Sequence, residues 1–218
     1  PILLVFMQPD LGTSLVYIAI FVGMLFVSGI RLRLVRIIAT VGVLLMPLAW
    51  FVLKDYQKQR ILVFMNPDID PFGSGYHIIQ SKIAIGSGTI FGKGLFNGTQ
   101  SQLNFLPENH TDFIFSVIGE ELGFIGCIFV LILLFMLIYR SIKVAYSCND
   151  RFGMLLATGI GSMLCFEVLV NAGMTMGIMP VTGIPLPFIS YGVSALTTNM
   201  ISVGILLNIS MQRKKYIF

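Results

Sequence analysis

The chain has 218 residues, 56% of them hydrophobic and 11% charged, with a mean hydropathy of +0.89. A soluble domain of this length would lack the polar surface it needs, so the composition excludes one and defines an integral membrane protein. The net charge of +4 gives no ground for a nucleic-acid partner, because the basic residues cluster in short connections between apolar runs and so report topology.

A chain of this length holds roughly five or six spans of about 20 apolar residues each. Pro1 to Met7 reads as the last turns of a span begun earlier, so the sequence is expected to be the back part of something longer. The first complete span is predicted over 11–30, free of charge, and Arg31, Arg33 and Arg36 after it mark a cytoplasmic turn by the positive-inside rule. A second span over 37–53 carries Pro47, which neighbouring helices can accommodate. Residues 54–116 form the long loop, expected outside the cytoplasm and rich in Gly, Pro and Asn. Within it, "YHIIQSKIAIGSG" places Ile78, Ile79, Ile83 and Ile85 among polar residues, the pattern of an amphipathic helix lying on the membrane surface or capping the bundle.

A third span over 117–139 ends at Arg140 and Lys143, a fourth over 152–178 follows Arg151, and a fifth over 193–211 runs into "QRKK". Every short basic connection then lies on one side, with the long loop and "MPVTGIPLPFISYG" on the other. The predicted fold is a single all-α domain, a polytopic membrane helix bundle with one large extracytoplasmic loop. Cys127, Cys148 and Cys165 lack metal-ligand or disulfide-framework spacing and are assigned no chemistry.

Some polar groups need an account. Asp112, Ser116, Gly119, Glu120, Gly123 and Cys127 recur at three- and four-residue steps, giving the third span a face of small and polar side chains. Close helix packing explains the small residues; it does not explain the carboxylates. Glu167, Asn171 and Thr175 form a stripe on the fourth span. An ionised group at that depth costs about 2.5–3.5 kcal/mol, so Glu167 is expected protonated or partnered, as structural glue. Ser190, Ser194 and Thr198 repeat the pattern on the fifth and are read mostly as packing. Pro185 and Pro187 break any helix through "TGIPLPFISYG", leaving carbonyls that survive at membrane depth only against protein or a water-filled cavity; the segment is expected to dip inward and line one.

The stretch "LPENHTDFIF", 106–115, gathers Glu108, His110 and Asp112 within five residues at the mouth of the third span. Thr111 or Asp112 as helix N-cap would account for one of them. A carboxylate near a helix N-terminus is also held ionised by the helix dipole, which suits it to accept a proton or hold a cation.

"QPDLGTS" (8–14), "GSGYHIIQSKIAIGSGTIFGKG" (73–94), "GTQSQLNFLPENHTDFIFSVIGEELG" (98–123) and "GIPLPFISYGVSAL" (183–196), in this order, resemble the SEDS family of cell-wall polymerases of shape, elongation, division and sporulation. "GTQSQ" ahead of "LPE" is similar to the rod-shape branch. Members have more spans than this chain holds, so the resemblance covers their C-terminal half. Asn104 stands where the division branch carries an acid, and Thr182 where it often has Lys, which weakens transfer of that branch's roles.

The resemblance implies a glycosyltransferase that polymerises lipid II into an undecaprenyl-diphosphate-linked glycan for lateral wall elongation, at the outer face of the bacterial cytoplasmic membrane. It also implies a class B penicillin-binding protein as partner. The aspartate of the family's "HTDF" motif, here Asp112, is the implied catalytic residue. Around it, Glu108, His110, Thr111 and Ser190 are candidate substrate-binding residues. Lys82 and Lys93 are candidates to neutralise a diphosphate, although either could equally sit among lipid phosphates. A divalent cation, Mg or Mn, fits such chemistry, with no ligand set assigned, because one carboxylate pair is a weak metal signature. A transporter of the lipid-linked precursor would use the same intramembrane stripes, with essential groups spread through the membrane's depth, Glu167 and Asn171 included. A non-enzymatic scaffold would use the loop as a partner surface.

Overall fold

The computed structural model describes residues 2–8, 10–30, 54–71, 73–103 and 105–212, together with residues 33, 36, 37, 40, 41 and 44. Most of the span predicted over 37–53, and residue Asn104, lie outside that description. The described residues form helices α1 (Ile2–Met7), α2 (Leu11–Val27), α3 (Asp55–Met65), α4 (Ser74–Ser87), α5 (Thr99–Gln102), α6 (Ile114–Tyr146), α7 (Arg151–Thr175) and α8 (Val193–Gln212), with a 3₁₀ turn at Pro67–Ile69. No strand occurs among them. The fold is all-α, and α6, α7 and α8 are each long and apolar enough to cross a membrane.

Helix ends follow local chemistry. Asp10 caps α2, accepting from the Thr13 amide at 3.0 Å and its hydroxyl at 2.6 Å. Gly29, at φ +79°, closes it three residues short of the predicted end. The predicted end of the third span at 139 is overrun, because α6 continues past Arg140 and Lys143 to Tyr146. Basic side chains mark where the apolar stretch stops without breaking a helix. Asp150 caps α7 through the Gly153 amide at 2.9 Å. α7 ends at Thr175 because Gly177, at φ +70°, forms a Schellman turn: its own amide donates to Met174 at 3.0 Å and the Ile178 amide to Gly173 at 2.8 Å.

Small side chains set the packing. A methyl on Gly161 would lie 2.5 Å from Ser141 Oγ, and one on Gly159 would lie 2.6 Å from Met24 Cε, so α7 approaches α6 and α2 closely at these positions. Ala157, Leu164 and Leu134 are buried in the core between the long helices. The stretch 54–116, predicted as a loop with one amphipathic helix, holds three helices among the described residues. Of these α4 caps the bundle, with Ser81 fully buried and its hydroxyl 2.6 Å from both Ser116 Oγ and the Thr175 carbonyl. The start of α6, the end of α7 and the cap thus share one end of the molecule, and Arg140, Lys143 and Arg151 lie at the other.

Gly123 corrects its reading as a packing residue. Its backbone, at φ 68° and ψ −164°, breaks α6. Segment 89–94 splices the break. The Phe124 and Ile125 amides donate to the Thr89 and Ile90 carbonyls at 3.0 and 3.2 Å, and the Lys93 and Gly94 amides donate to the Glu120 and Glu121 carbonyls at 3.0 Å each. Two amides and two carbonyls beside the break thereby find partners, as membrane depth requires.

Candidate active site

The turn 106–113 is positioned through its main chain. Leu106 anchors it in the interior, 1% exposed. The Glu108 carbonyl accepts from the Thr111 and Phe113 amides at 3.2 and 3.3 Å, and the His110 carbonyl accepts from the Tyr191 amide at 2.8 Å. Ser190 Oγ donates to the Thr111 carbonyl at 2.6 Å while accepting the Leu186 amide at 2.7 Å. Asn171 Nδ2 donates to the Asp112 carbonyl at 2.9 Å and to the Ile184 carbonyl at 2.8 Å. Asn109 Nδ2 ties the turn to the Ser101 carbonyl at 2.9 Å. The proline-broken segment after α7 and the buried amide of α7 therefore hold residues 108–112 from several directions.

The side chains of the same turn are left available. The N-cap of α6 is Phe113, without a side-chain cap bond, so neither Thr111 nor Asp112 serves as the cap that the sequence allowed. Thr111 Oγ1 donates to Glu108 Oε2 at 3.0 Å. Glu108 and His110 are exposed and Asp112 is half-buried. The Asp112 carboxylate makes no hydrogen bond or ion pair with the described residues. Burial pushes its carboxyl above the ordinary range, the negative charge of Glu108 adds to this, and the positive charge of Arg60 on α3 opposes it. Gly183, at φ +75°, faces this carboxylate, and a methyl there would sit 3.4 Å from Asp112 Oδ2.

Lys82 and Lys93 are used differently. Lys93 Nζ is 2.9 Å from Glu120 Oε1 and 2.9 Å from Thr99 Oγ1. Glu120 is fully buried and also accepts the Gln100 and Ser101 amides at 2.9 and 3.1 Å. Lys93 is thus engaged in a structural clamp that holds α5 against α6. Lys82 is exposed and lies across Gly177 at the end of α7. Among the described residues no contact joins either lysine to Asp112, whereas Arg60, which has no role in the sequence reading, is a cation whose charge acts on it. His77 was also missed: it stacks on Phe113 at 5.9 Å and 21°, and its buried Nδ1 has no partner among the described residues. The adjacent "YHIIQ" helix signal was the available clue.

Beside the turn, a cavity of about 360 Å³ lies between α2, α7 and α8, lined by Thr13, Tyr17, Glu167, Gly183, Ile184 and Thr198 among others. The segment with Pro185 borders it. Glu167 makes no hydrogen bond or ion pair with the described residues. Among the described residues no three His, Cys, Asp or Glu side chains gather to hold a metal ion. Glu108 and Asp112 supply two carboxylates and no more.

A bundle of spanning helices carrying a pinned acidic turn at one end, beside a cavity that holds Glu167, defines a polytopic membrane protein with a candidate site at that end. The chain belongs to the FtsW/RodA/SpoVE family, whose model, described as cell cycle protein, matches residues 1–215. It is 49% identical over 215 residues to the peptidoglycan glycosyltransferase MrdB of Escherichia coli K12, covering 98% of this chain and 58% of that protein. It is 44% identical over 209 residues to stage V sporulation protein E of Bacillus subtilis, covering 95% and 56%. Among solved structures it resembles a chain of a peptidoglycan synthase complex that coordinates polymerization and crosslinking, with a TM-score of 0.78, 34% identity, and coverage of 99% of this chain and 59% of that one. It also resembles an aspartate-to-alanine mutant of rod shape determining protein RodA from Thermus thermophilus, with a TM-score of 0.63, 30% identity, and coverage of 97% and 53%. The chain therefore spans little more than half the length of these relatives.

Proposed function

We propose that this chain carries the catalytic carboxylate of a peptidoglycan glycosyltransferase that polymerises lipid II at the outer face of the bacterial cytoplasmic membrane. The observation that carries the reading is Asp112, whose main chain is pinned by Asn171 at 2.9 Å while its carboxylate has no partner among the described residues. A group held in place and left unpaired is what a general base requires.

Donor and acceptor are both tethered by polyprenyl chains, so their sugars meet a catalyst only at headgroup level, and a carboxylate at the mouth of a span is at that level. Asp112 takes the proton of the acceptor sugar hydroxyl as its oxygen attacks the anomeric carbon of the donor. Configuration inverts and the lipid diphosphate leaves. Positioned proton transfer of this kind contributes about 10²–10⁴-fold. Arg60 is the first candidate to meet the leaving diphosphate, with Lys82 second. Glu108, His110, Thr111 and Ser190 bind or orient the acceptor, Ser190 through the Thr111 carbonyl. Glu108 and His110 would assist a Mg or Mn ion held here beside substrate oxygens, leaving Asp112 free as the base.

The rod shape determining protein among the solved structures favours the finer reading of lateral elongation and rod shape over the sporulation role named for the Bacillus subtilis relative. The synthase-complex neighbour favours a class B penicillin-binding protein as partner, to cross-link the growing glycan. The cavity with Glu167 supports a second reading, transport of the lipid-linked precursor. Vesicles containing the purified protein and labelled lipid II test both. Polymer formation that is lost in Asp112→Asn and retained in Glu167→Gln is the expected result. Transbilayer movement without polymer, sensitive to Glu167→Gln and indifferent to Asp112→Asn, would replace polymerisation with transport.

A further inference from the structure

Segment 89–103 carries a large apolar surface. Phe91 and Phe96 are each 80% exposed, and Ile90, Leu95 and Leu103 are also exposed. This is more contiguous apolar surface than a water-facing loop keeps without purpose. We propose that this segment is a lobe immersed in the acyl chains of the leaflet on the Asp112 side, anchoring the cap of the bundle in lipid.

Depth supports the assignment. The helical residues after the break, 124–146, rise about 35 Å at 1.5 Å per residue, enough by themselves for a hydrocarbon core of about 30 Å. Counting back about 20 residues from Arg140, the first charge at the far end, puts the near boundary close to Glu120. The break at Gly123 therefore lies just beneath the boundary, and the four splice bonds hold residues 89–94 beside it. Those bonds also join the lobe to Phe124 and Ile125, whose side chains are 61% and 51% exposed on the outer face of α6. The lobe thus continues the lipid-facing surface of a spanning helix.

Two local features agree. Phe96 occupies a left-handed conformation at φ +61°, where Gly or Asn would be cheaper if only the turn mattered. Keeping a phenyl ring there, turned outward, points to a use for the ring itself. The one charge in residues 89–98, Lys93, does not reach for water but is neutralised inside by Glu120 at 2.9 Å. The lobe presents rings and aliphatic groups outward and turns its cation inward, as an acyl-chain environment demands.

The test uses fluorescence. The chain has one tryptophan, so Trp50→Phe provides a silent background into which Phe96→Trp, and separately Phe91→Trp, is placed. The full chain is reconstituted in phosphatidylcholine vesicles with bromine on the acyl chains, either near the headgroup or near the chain end. Strong quenching by the shallow bromines, weaker quenching by the deep ones, and no quenching by aqueous acrylamide is the expected result at both positions. Quenching by acrylamide and not by bromine puts the lobe in water and overturns the proposal. Protection from both quenchers puts protein over the lobe and overturns it equally. Should one variant fail to fold, the other carries the same test.

Discussion

The side-chain amide of Asn171, fully buried on α7, donates 2.9 Å to the main-chain carbonyl of Asp112, which stands 59 residues earlier in the chain. Its second N–H reaches Ile184 at 2.8 Å. One side chain thereby fixes the acidic turn and the proline-broken segment relative to each other, without touching the carboxylate.

Replacing Asn171 by Leu strands the buried carbonyl of Ile184 and the part-buried carbonyl of Asp112. The cost of an unsatisfied buried polar group is about 1–3 kcal/mol, and we expect a loss of stability in that range, read as a lowered Tm in detergent. Polymer formation falls with it, because the aspartate loses its anchor. A melting point equal to that of the wild type would show that the amide holds nothing.

Asp112→Asn is expected to remove activity and to raise thermal stability at neutral pH. Burial raises the folded carboxyl's pKa above its unfolded value. Stability linked to this group is therefore fully present at pH below the unfolded value and is lost as pH rises through the folded one. The variant escapes that loss. The gap in Tm between variant and wild type should widen as pH rises, and a constant gap would contradict the burial argument.

The acid limb of the polymerisation rate should follow the same carboxyl. Glu108 raises its pKa and Arg60 lowers it, so Glu108→Gln moves the limb to lower pH and Arg60→Gln moves it to higher pH. Both shifts are read from kcat/KM profiles. Equal profiles for the two variants would dissociate the limb from Asp112.

Glu120→Ala removes the acceptor of Lys93 and of two amides. Breaking a buried pair by deleting one partner typically costs about 3–5 kcal/mol, and we expect a loss of that order by thermal unfolding. Lys93→Met leaves the carboxylate its amide partners and should cost less than Glu120→Ala. The reverse order would mean that the lysine, not the carboxylate, is the hub.

Much of the architecture is legible in the sequence because bilayer physics is blunt. Long uncharged runs specify α6, α7 and α8, and the stripe of Glu167, Asn171 and Thr175 correctly flags side chains that cannot face lipid, two of them fully buried. The partner of a polar residue is the part that periodicity does not carry. Asn171 reads as one position of a polar stripe, and only the fold brings it to Asp112. Lys93 reads as an outward cation, and only the fold shows Glu120, 27 residues on, claiming it. Arg60 escapes notice for another reason: Asp55–Met65 lacks a strong apolar face, so a helix passes for irregular loop and its cation for solvated charge. Gly123 has a spacing that fits a packing stripe equally well, and nothing short of the backbone angles distinguishes the two.

The splice at Gly123 works as a ruler. Its four bonds pair residues 89, 90, 93 and 94 with 124, 125, 120 and 121 in fixed register, so inserting or deleting one residue between 90 and 93 would misalign amides and carbonyls that have no water to turn to. Point changes along this segment can be absorbed; changes in its length cannot.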